Sequence, residues 1–344
     1  MFDQTETPEG QRDEGAAREW VSILAAYRAP DAKRSTFELA VTLVPFLGIW
    51  ALAWWALSFS YGLAFALAVI NAGFLVRIFA IQHDCGHGAF FKDRWANDWL
   101  GRCLGVLTLT PYAVWRHSHS VHHSASGNLG RRGMGDIFTM TVAEYRAETP
   151  RGRFMYRLYR HPITLFLVVP GYLFLLQNRV PLGLSDKARF WVSAMGTNLA
   201  LLALLGAIFY FGGVMPLLLI FLPTTLLAAS AGVWLFYVQH QFEETLWEKD
   251  ADWDLQEAAL HGSSHYILPP VLQWLTANIG IHHVHHLYSR IPFYRLPEVL
   301  RDHAALADGN RLTILESLGN ARRHLWDEKT RRLLSFSQAR ALYP

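Results

Sequence analysis

The composition of this 344-residue chain separates it from ordinary soluble domains, because 52% of its residues are hydrophobic and only 17% are charged. An average soluble domain carries about 25% charged residues, so the balance favours a membrane protein. The formal net charge of +3 is too small to indicate nucleic-acid binding. The two cysteines, Cys85 and Cys103, exclude a disulfide framework and a cysteine-based zinc site.

The chain begins with a polar segment of mixed charge, residues 1–35. This segment lacks the basic start and the short apolar core that are typical of a secretory signal peptide. We therefore expect residues 1–35 to form a frayed, polar, cytoplasmic N-terminal tail.

Two long uncharged runs predict the membrane architecture. Residues 39–76 and 190–242 carry no charged side chain, and each run is long enough for two membrane-spanning helices of about 20 residues. Turns are expected near residues 58–62 and 212–216, where small residues and proline break the helical pattern. The sequence thus predicts four transmembrane helices in two hairpins, at about 37–59, 62–82, 190–212 and 215–239.

A third apolar run, residues 162–178, is short for a span and contains Pro170 and Gly171 at its centre. We predict an interfacial or re-entrant segment, because a crossing here would place the histidines before residue 124 and those after residue 239 on opposite sides of the membrane. Basic residues are frequent between residues 83 and 189 and absent from both proposed outer turns. By the positive-inside rule, both termini and all histidine clusters are expected to be cytoplasmic.

Three histidine clusters follow the predicted spans or lie at their edges. Histidines at i, i+3 and i+4 share one face of a helix, and eight histidines have this spacing. They are His83, His87, His119, His122, His123, His282, His285 and His286. Eight imidazoles are too many for one ion, and structural zinc prefers four ligands that usually include cysteine. The pattern therefore favours a binuclear iron centre that has no carboxylate ligand.

Other histidines are assigned by their place in the pattern. His117 and His283 point to other helix faces, and we predict that neither binds metal. His240 ends the fourth predicted span, where an ionisable group is a functional candidate, and we predict that it is a ninth ligand. His265 is kept outside the ligand set.

The three clusters resemble the histidine boxes of the membrane fatty acid desaturase family, of the bacterial and plant acyl-lipid type. The resemblance extends over HDCGHGAFF (83–91), PYAVWRHSHSVHH (111–123), SGNLGRRGMGDIFTMTVAEY (126–145), WLFYVQHQFEE (234–244) and LQWLTANIGIHHVHHLYSRIPFY (272–294). It implies an all-α membrane protein in a bacterial inner membrane, with a four-helix stem and a cytoplasmic helical cap that holds a di-metal site. Residues 36–300 would form the desaturase domain, and residues 301–344 a helical C-terminal tail. The family also has an extra histidine at the place of His240.

The resemblance implies O2-dependent introduction of a cis double bond into a fatty acyl chain by two non-haem Fe ions, with electrons from an external donor. An unactivated methylene offers no acidic proton, so such chemistry must belong to a metal cofactor. Two alternatives remain open: a membrane di-iron hydroxylase of alkanes, sterols or carotenoids, and a His-rich membrane metal transporter or sensor. A transporter should carry ionisable groups within its spans, and the two long runs carry none until their cytoplasmic ends.

Further residues are predicted to support the site. Asp84, Asp136 and Asn278 are candidates to orient the imidazoles, with local caps or turns as the alternative. Five aromatic residues are candidates to line an acyl tunnel or to form an interfacial belt: Trp234, Phe236, Tyr237, Tyr266 and Trp274.

The expected partners are a fatty acyl lipid, membrane lipids and a soluble acidic electron carrier such as a ferredoxin. Six arginines could give the cytoplasmic face a field that steers the carrier, and the alternative explanation is positive-inside bias together with contacts to lipid headgroups. They are Arg131, Arg132, Arg151, Arg153, Arg157 and Arg160.

Overall fold

The computed structural model describes residues 14–344, and side chains from residue 19 onward. This part of the chain is mostly helical. Its helices are α1 Glu14–Leu24, α2 Ala32–Ala56, α3 Tyr61–His87, α4 Arg94–Leu107, α5 Tyr112–Ala125, α6 Val142–Ala147, α7 Pro150–Arg160, α8 Val169–Leu175, α9 Ala188–Gly212, α10 Leu222–His240, α11 Leu255–His261, α12 Pro270–Leu275, α13 His282–Leu287, α14 Leu296–Asp302, α15 Ala304–Ala307, α16 Ile314–Asn320 and α17 Phe336–Leu342. Its strands are β1 Met140–Thr141, β2 His265–Tyr266, β3 Arg311–Leu312, β4 Leu325–Asp327 and β5 Arg332–Leu334.

Four helices are long and apolar enough to cross a membrane, as the sequence predicts. They are α2, α3, α9 and a continuous segment from Leu217 to His240 that begins with a wide turn and continues as α10. Each contains 24 to 27 residues and therefore extends about 36–40 Å, more than the roughly 30 Å of a bilayer core.

The bounds of these helices differ from the predicted spans mainly at α2 and α3. Helix α2 covers residues 32–56, whereas the predicted span covers 37–59. Helix α3 continues to His87, past the predicted end at residue 82, and Gly88 ends it in the left-handed conformation with φ of +68°. The first histidine pair therefore lies on the last two turns of a membrane helix, within the same rigid element.

A bent pair of helices corresponds to the predicted interfacial segment. The segments Pro150–Arg160 and Thr164–Arg179 meet at an angle of 61°. By length and composition the pair is either a broken fifth span or a re-entrant loop. It contacts α10, so it lies beside the membrane helix that carries His240.

A buried ion pair joins the first two membrane helices. Arg77 of α3 pairs with Glu38 of α2, and both side chains are almost completely shielded from solvent. The guanidinium also donates to the hydroxyl of Thr42 and to the backbone carbonyl of Trp274. Arg77 thereby connects α2 and α3 to α12, the helix that precedes the third histidine cluster.

Both chain ends depart from the sequence-based expectation. The prediction of a frayed tail is wrong for residues 14–35, because Leu24 is fully buried and Trp20 packs edge-on against His303. The prediction for residues 1–13 lies outside the described residues. A helical tail over residues 301–344 is also wrong, because the segment contains β3, β4 and β5, although the described chain as a whole is mostly helical, as predicted. Strands this short carry no alternating pattern that the sequence could reveal.

These strands attach the C-terminal segment to the rest of the chain. β4 pairs in parallel with β1 and antiparallel with β5, and β3 pairs in parallel with β2. Since β2 lies shortly before the third histidine cluster, the C-terminal segment is part of the structure that surrounds the candidate site.

Candidate metal centre

Helix α3 presents the first two histidines of the site. His83 and His87 are one turn apart, and their ring centroids lie 4.7 Å from each other. Gly86 lies between them because α5 packs closely there: a Cβ at this position would be 2.7 Å from the Trp115 ring. The small residue lets the helices carrying the first and second clusters approach each other.

The second and third clusters are helical, as their spacing predicts. His119, His122 and His123 lie on α5, and the other three lie on the short helix α13. His240 is the last residue of α10. Four helices thus bring all nine predicted ligands to one place.

The nine imidazoles form two adjacent groups. In each group the potential ligand atoms all lie within 4.8 Å of one another. The five-histidine group consists of His83, His87, His119, His123 and His285, and the four-histidine group consists of His122, His240, His282 and His286. The groups are in contact, since the rings of His123 and His286 stack with centroids 4.1 Å apart.

The spacing within each group fits a metal site. In the five-histidine group the Nε2 atoms of His87 and His119 are 3.0 Å apart, and those of His285 and His123 are 3.2 Å apart. In the four-histidine group, Nε2 of His240 lies 2.9 Å from Nε2 of His282. Two nitrogens at a right angle on an ion with bonds of about 2.1 Å would be about 3.0 Å apart.

The protonation state of the imidazoles and their buried nitrogens without hydrogen-bond partners also fit a metal site. Burial, followed by the neighbouring imidazoles, lowers the pKa of His285 and His286 well below the ordinary histidine value, so both rings are neutral and can offer a lone pair. Nε2 of His286 and Nδ1 of His83 are buried without a hydrogen-bond partner. Among the described residues, neither group includes a carboxylate or a cysteine. These observations fit metal ions bound by imidazole.

A protein-family model named "Fatty acid desaturase" matches residues 60–317. The chain belongs to the fatty acid desaturase family. It is 47% identical to a "Fatty acid desaturase" of Bacillus subtilis over 91% of this chain and 89% of that protein. It is 26% identical to an "sn-1 oleoyl-lipid 12-desaturase" of Synechocystis sp. over 82% of this chain and 74% of that protein. It is 29% identical to an "sn-1 acyl-lipid omega-3 desaturase (ferredoxin)" of Nostoc sp. over 64% of this chain and 61% of that protein.

Two residues hold the outer nitrogens of imidazoles in the four-histidine group of this desaturase-family chain. As the sequence suggests, Asp136 contacts His122: its Oδ1 lies 2.5 Å from Nδ1 of the imidazole. The other contact has no signal in the sequence: the backbone oxygen of Gly262 lies 3.2 Å from Nδ1 of His240. Such contacts fix the orientation of a metal-binding ring and raise its basicity.

The other two candidates for orienting imidazoles have different main partners. Oδ1 of Asp84 is 3.6 Å from Nδ1 of His83, whereas its Oδ2 accepts a hydrogen bond from the Phe293 backbone N–H at 2.7 Å. Asn278 donates to the backbone oxygen of the same Phe293 at 3.1 Å. Asp84 and Asn278 therefore anchor the segment that follows the third cluster, and Asn278 makes no hydrogen bond to any imidazole of the site.

The histidines predicted not to bind metal lie outside both groups. Nε2 of His283 is 2.8 Å from the backbone oxygen of Leu306, and its ring is 5.6 Å from that of His265. His117 packs against Phe190, with ring centroids 5.2 Å apart. The separation of His283 from its neighbours follows the face of α13 on which each residue lies.

The five aromatic candidates occupy different environments. Phe236 lies at the site, with its ring 4.9 Å from that of His122 and 5.2 Å from that of His240. Trp115, which sequence reasoning missed, stacks on His119 at 4.8 Å and an angle of 13°. The i, i+4 spacing on α5 could have revealed this neighbour.

The other four aromatic candidates are farther from the imidazoles. Trp234 packs on Phe166, and its Nε1 is 3.5 Å from the hydroxyl of Tyr266. The hydroxyl of Tyr237 donates to backbone oxygens in the C-terminal segment. The Trp274 ring lies 4.0 Å from the guanidinium of Arg77. Tyr237 and Trp274 therefore join segments of the fold to one another.

Several of the six arginines are not free to steer a partner. Arg160 is only 1% exposed and donates hydrogen bonds to the side chain of Gln241 and to two backbone oxygens. Arg131 pairs with Asp250, and Arg132 pairs with Glu144. A basic docking surface would therefore depend on the remaining three, of which Arg151 is exposed and Arg153 half-buried.

Proposed function

We propose that this chain is a membrane acyl-lipid desaturase that introduces a cis double bond with two iron ions and O2. The observation that carries the proposal is the pair of adjacent, carboxylate-free histidine groups at the ends of apolar helices. Membership of the desaturase family supports the reaction type, an oxidation of a fatty acyl chain. We assign one iron to the five-histidine group and the other to the four-histidine group.

The bound irons would supply the O2-dependent oxidising power that no amino-acid side chain provides. The chain itself positions the ligands: Asp136 and the Gly262 carbonyl hold His122 and His240 through their outer nitrogens. Trp115 covers His119 and Phe236 covers His122. These aromatic rings place apolar surface beside the imidazoles, where an acyl chain can lie and water is kept out.

We propose two membrane hairpins with both termini and the histidine groups on the cytoplasmic side of a bacterial inner membrane. The short connections at residues 57–60 and 213–216 support the hairpins, and the basic residues between 83 and 189 support the orientation. Cysteines introduced near residues 60 and 214 should be labelled from outside. Those near residues 130 and 300 should be labelled only from inside, and labelling of 130 and 300 from opposite sides would refute the topology.

The proposed substrate is a fatty acyl chain carried on a membrane lipid. The Synechocystis and Nostoc relatives are named as oleoyl-lipid and acyl-lipid desaturases, and the histidine groups lie where membrane helices end. The name of the Nostoc relative also includes ferredoxin. We propose an acidic soluble carrier of this kind as the electron donor.

Lipid analysis after expression tests the reaction directly. A host without polyunsaturated lipids should accumulate a new double bond in its membrane lipids, and His282→Gln should abolish the product. The matched control His283→Gln should retain it, because His283 lies outside both groups. Hydroxylated acyl chains in place of unsaturated ones would establish the hydroxylase alternative, and no change in lipids with a functional donor present would refute both.

A further inference from the structure

A groove lies between α4, α5 and α9, outside the two histidine groups. Its volume is about 970 Å³, at the upper end of the range for small-molecule sites. None of the nine predicted metal ligands is among the residues that line it. We call this cavity the interfacial groove, and it is defined by Arg94, Trp99, Arg102, Arg116, Arg189 and Gly196 with their lining neighbours.

The charge of the interfacial groove is strongly positive. Four arginines line it, and Asp98 is the single acidic residue among its described lining residues. Asp98 is engaged by Arg116, whose Nη1 is 3.0 Å away. Within residues 19–344, Arg102 and Arg189 form no ion pair with a carboxylate, and their guanidiniums lie over aromatic rings at 4.8 and 4.5 Å. Two cationic groups are therefore available to an anion.

The lining of the groove along α9 changes from a basic residue to small, uncharged residues. Arg189 lines it just after the start of this membrane helix, and Gly196 and Ala200 line it two to three turns later. The wall from Arg189 to Ala200 is about 16 Å long. Val106 of α4 continues the apolar lining. A small soluble anion would contact only the basic part of the groove. The surface of a soluble protein would not complement the apolar part.

Helix α4 has the features of an interfacial helix. Trp95 and Trp99 are exposed large aromatic residues on it, and Arg94 and Arg102 are also exposed. Tryptophan and arginine together are typical of segments at the level of lipid headgroups. The opening of the groove therefore lies where a lipid phosphate is expected.

We propose that the interfacial groove binds an anionic glycerophospholipid as an accessory ligand, distinct from the chain that is oxidised. Its phosphate would lie between Arg102 and Arg189, and one acyl chain would follow α9 past Gly196. The lipid would bridge α9 to α4 and α5, and α5 carries His119, His122 and His123. This proposal does not depend on the reaction assigned to the protein, because binding can be measured without turnover.

The test uses the delipidated full chain in neutral detergent and measures the unfolding midpoint as phosphatidylglycerol is added. The lipid should raise the midpoint, and the combined change Arg102→Gln and Arg189→Gln should raise the half-saturating mole fraction at least about 5-fold. The matched control, Arg151→Gln with Arg153→Gln, should leave it unchanged.

A second variant pair tests the apolar part without changing charge. Gly196 and Gly206 are both exposed glycines of α9, and an added Cβ would meet nothing within 4 Å at either position. Only Gly196 lines the groove. Gly196→Leu should therefore weaken lipid binding, whereas Gly206→Leu should not. Both substitutions remove a helix-interior glycine, so neither is expected to impair folding.

Four results would overturn the proposal. One is the absence of any midpoint shift with phosphatidylglycerol, and a second is an equal shift with inorganic phosphate alone, which would indicate a soluble-anion site. A third is equal potency of zwitterionic phosphatidylcholine, since the arginines would then have no role. The fourth is unchanged binding by Gly196→Leu.

Discussion

The two histidine groups differ in burial and in the contacts that orient them. All four residues of the four-histidine group are buried, whereas His87, His119 and His123 of the five-histidine group are only half-buried. In the four-histidine group, His122 and His240 are held by Asp136 and a backbone carbonyl. In the five-histidine group, His119 is instead covered by the Trp115 ring.

This difference suggests two ways of securing a metal ion. The four-histidine group has one imidazole fewer, and two of its four rings, those of His122 and His240, are oriented by the surrounding chain. The five-histidine group has one more imidazole and fewer orienting hydrogen bonds. We infer that the four-histidine group tolerates loss of a ligand less well, because only three imidazoles would remain.

The largest expected effect follows removal of His240. His240→Ala should reduce bound iron from about two ions per chain to about one. It should also lower the rate of desaturation more than about 100-fold, which exceeds the loss of about 10- to 100-fold that follows removal of a residue that only orients a ligand. Metal analysis and product formation on the purified variant measure both. Wild-type iron content in His240→Ala would exclude this residue as a ligand, and His283→Gln serves as the control that keeps both ions.

Removal of His87 should have a smaller effect on iron content. His87→Ala leaves four imidazoles in the five-histidine group, so it should retain more iron than His240→Ala under the same chelator challenge. Activity should still fall, because the ligand set is changed. If His87→Ala loses iron at least as readily as His240→Ala, ligand number does not distinguish the groups.

The two aspartates provide a finer comparison. Asp136→Asn should weaken iron binding about 10- to 100-fold, because it removes the anionic contact to Nδ1 of His122. Asp84→Asn should change iron binding less and thermal stability more, since Asp84 mainly anchors the Phe293 backbone. Iron titration and thermal unfolding of both variants separate these effects. Equal losses of iron affinity would contradict the distinction drawn between the two carboxylates.

Most of the site could be predicted because local spacing defines it. The i, i+3 and i+4 pattern selects eight of the nine histidines that the structure brings together and separates His282 from His283, and the place of His240 at a span end selects the ninth. The division into two groups could not be predicted, because the chain places adjacent His122 and His123 in different groups. That division depends on how α5 packs against α3, α10 and α13.

Long-range contacts explain what the sequence did not reveal. The pairing of Glu38 with Arg77 across two helices has no local signature, although both residues border the uncharged run. The burial of Arg160 arises from contacts with segments far along the chain, so the sequence alone does not separate it from the other five arginines. The strands of the C-terminal segment are too short to show a period.

The smallest expected effect concerns the electron carrier. Arg151→Glu with Arg153→Glu should raise the apparent KM for an acidic ferredoxin a few-fold at low salt and leave iron content unchanged, because steering by surface charge is screened by salt. Steady-state kinetics at two ionic strengths measure this. An unchanged KM for ferredoxin at low salt would show that these two arginines do not contribute to carrier docking.

Iron titration of the metal-free protein tests the central claim most directly. If each histidine group holds one iron and both are needed, product formation should remain low at one equivalent and reach its maximum at about two. Saturation of binding at one equivalent, or full activity with one ion per chain, would contradict the assignment of two iron sites to the nine imidazoles.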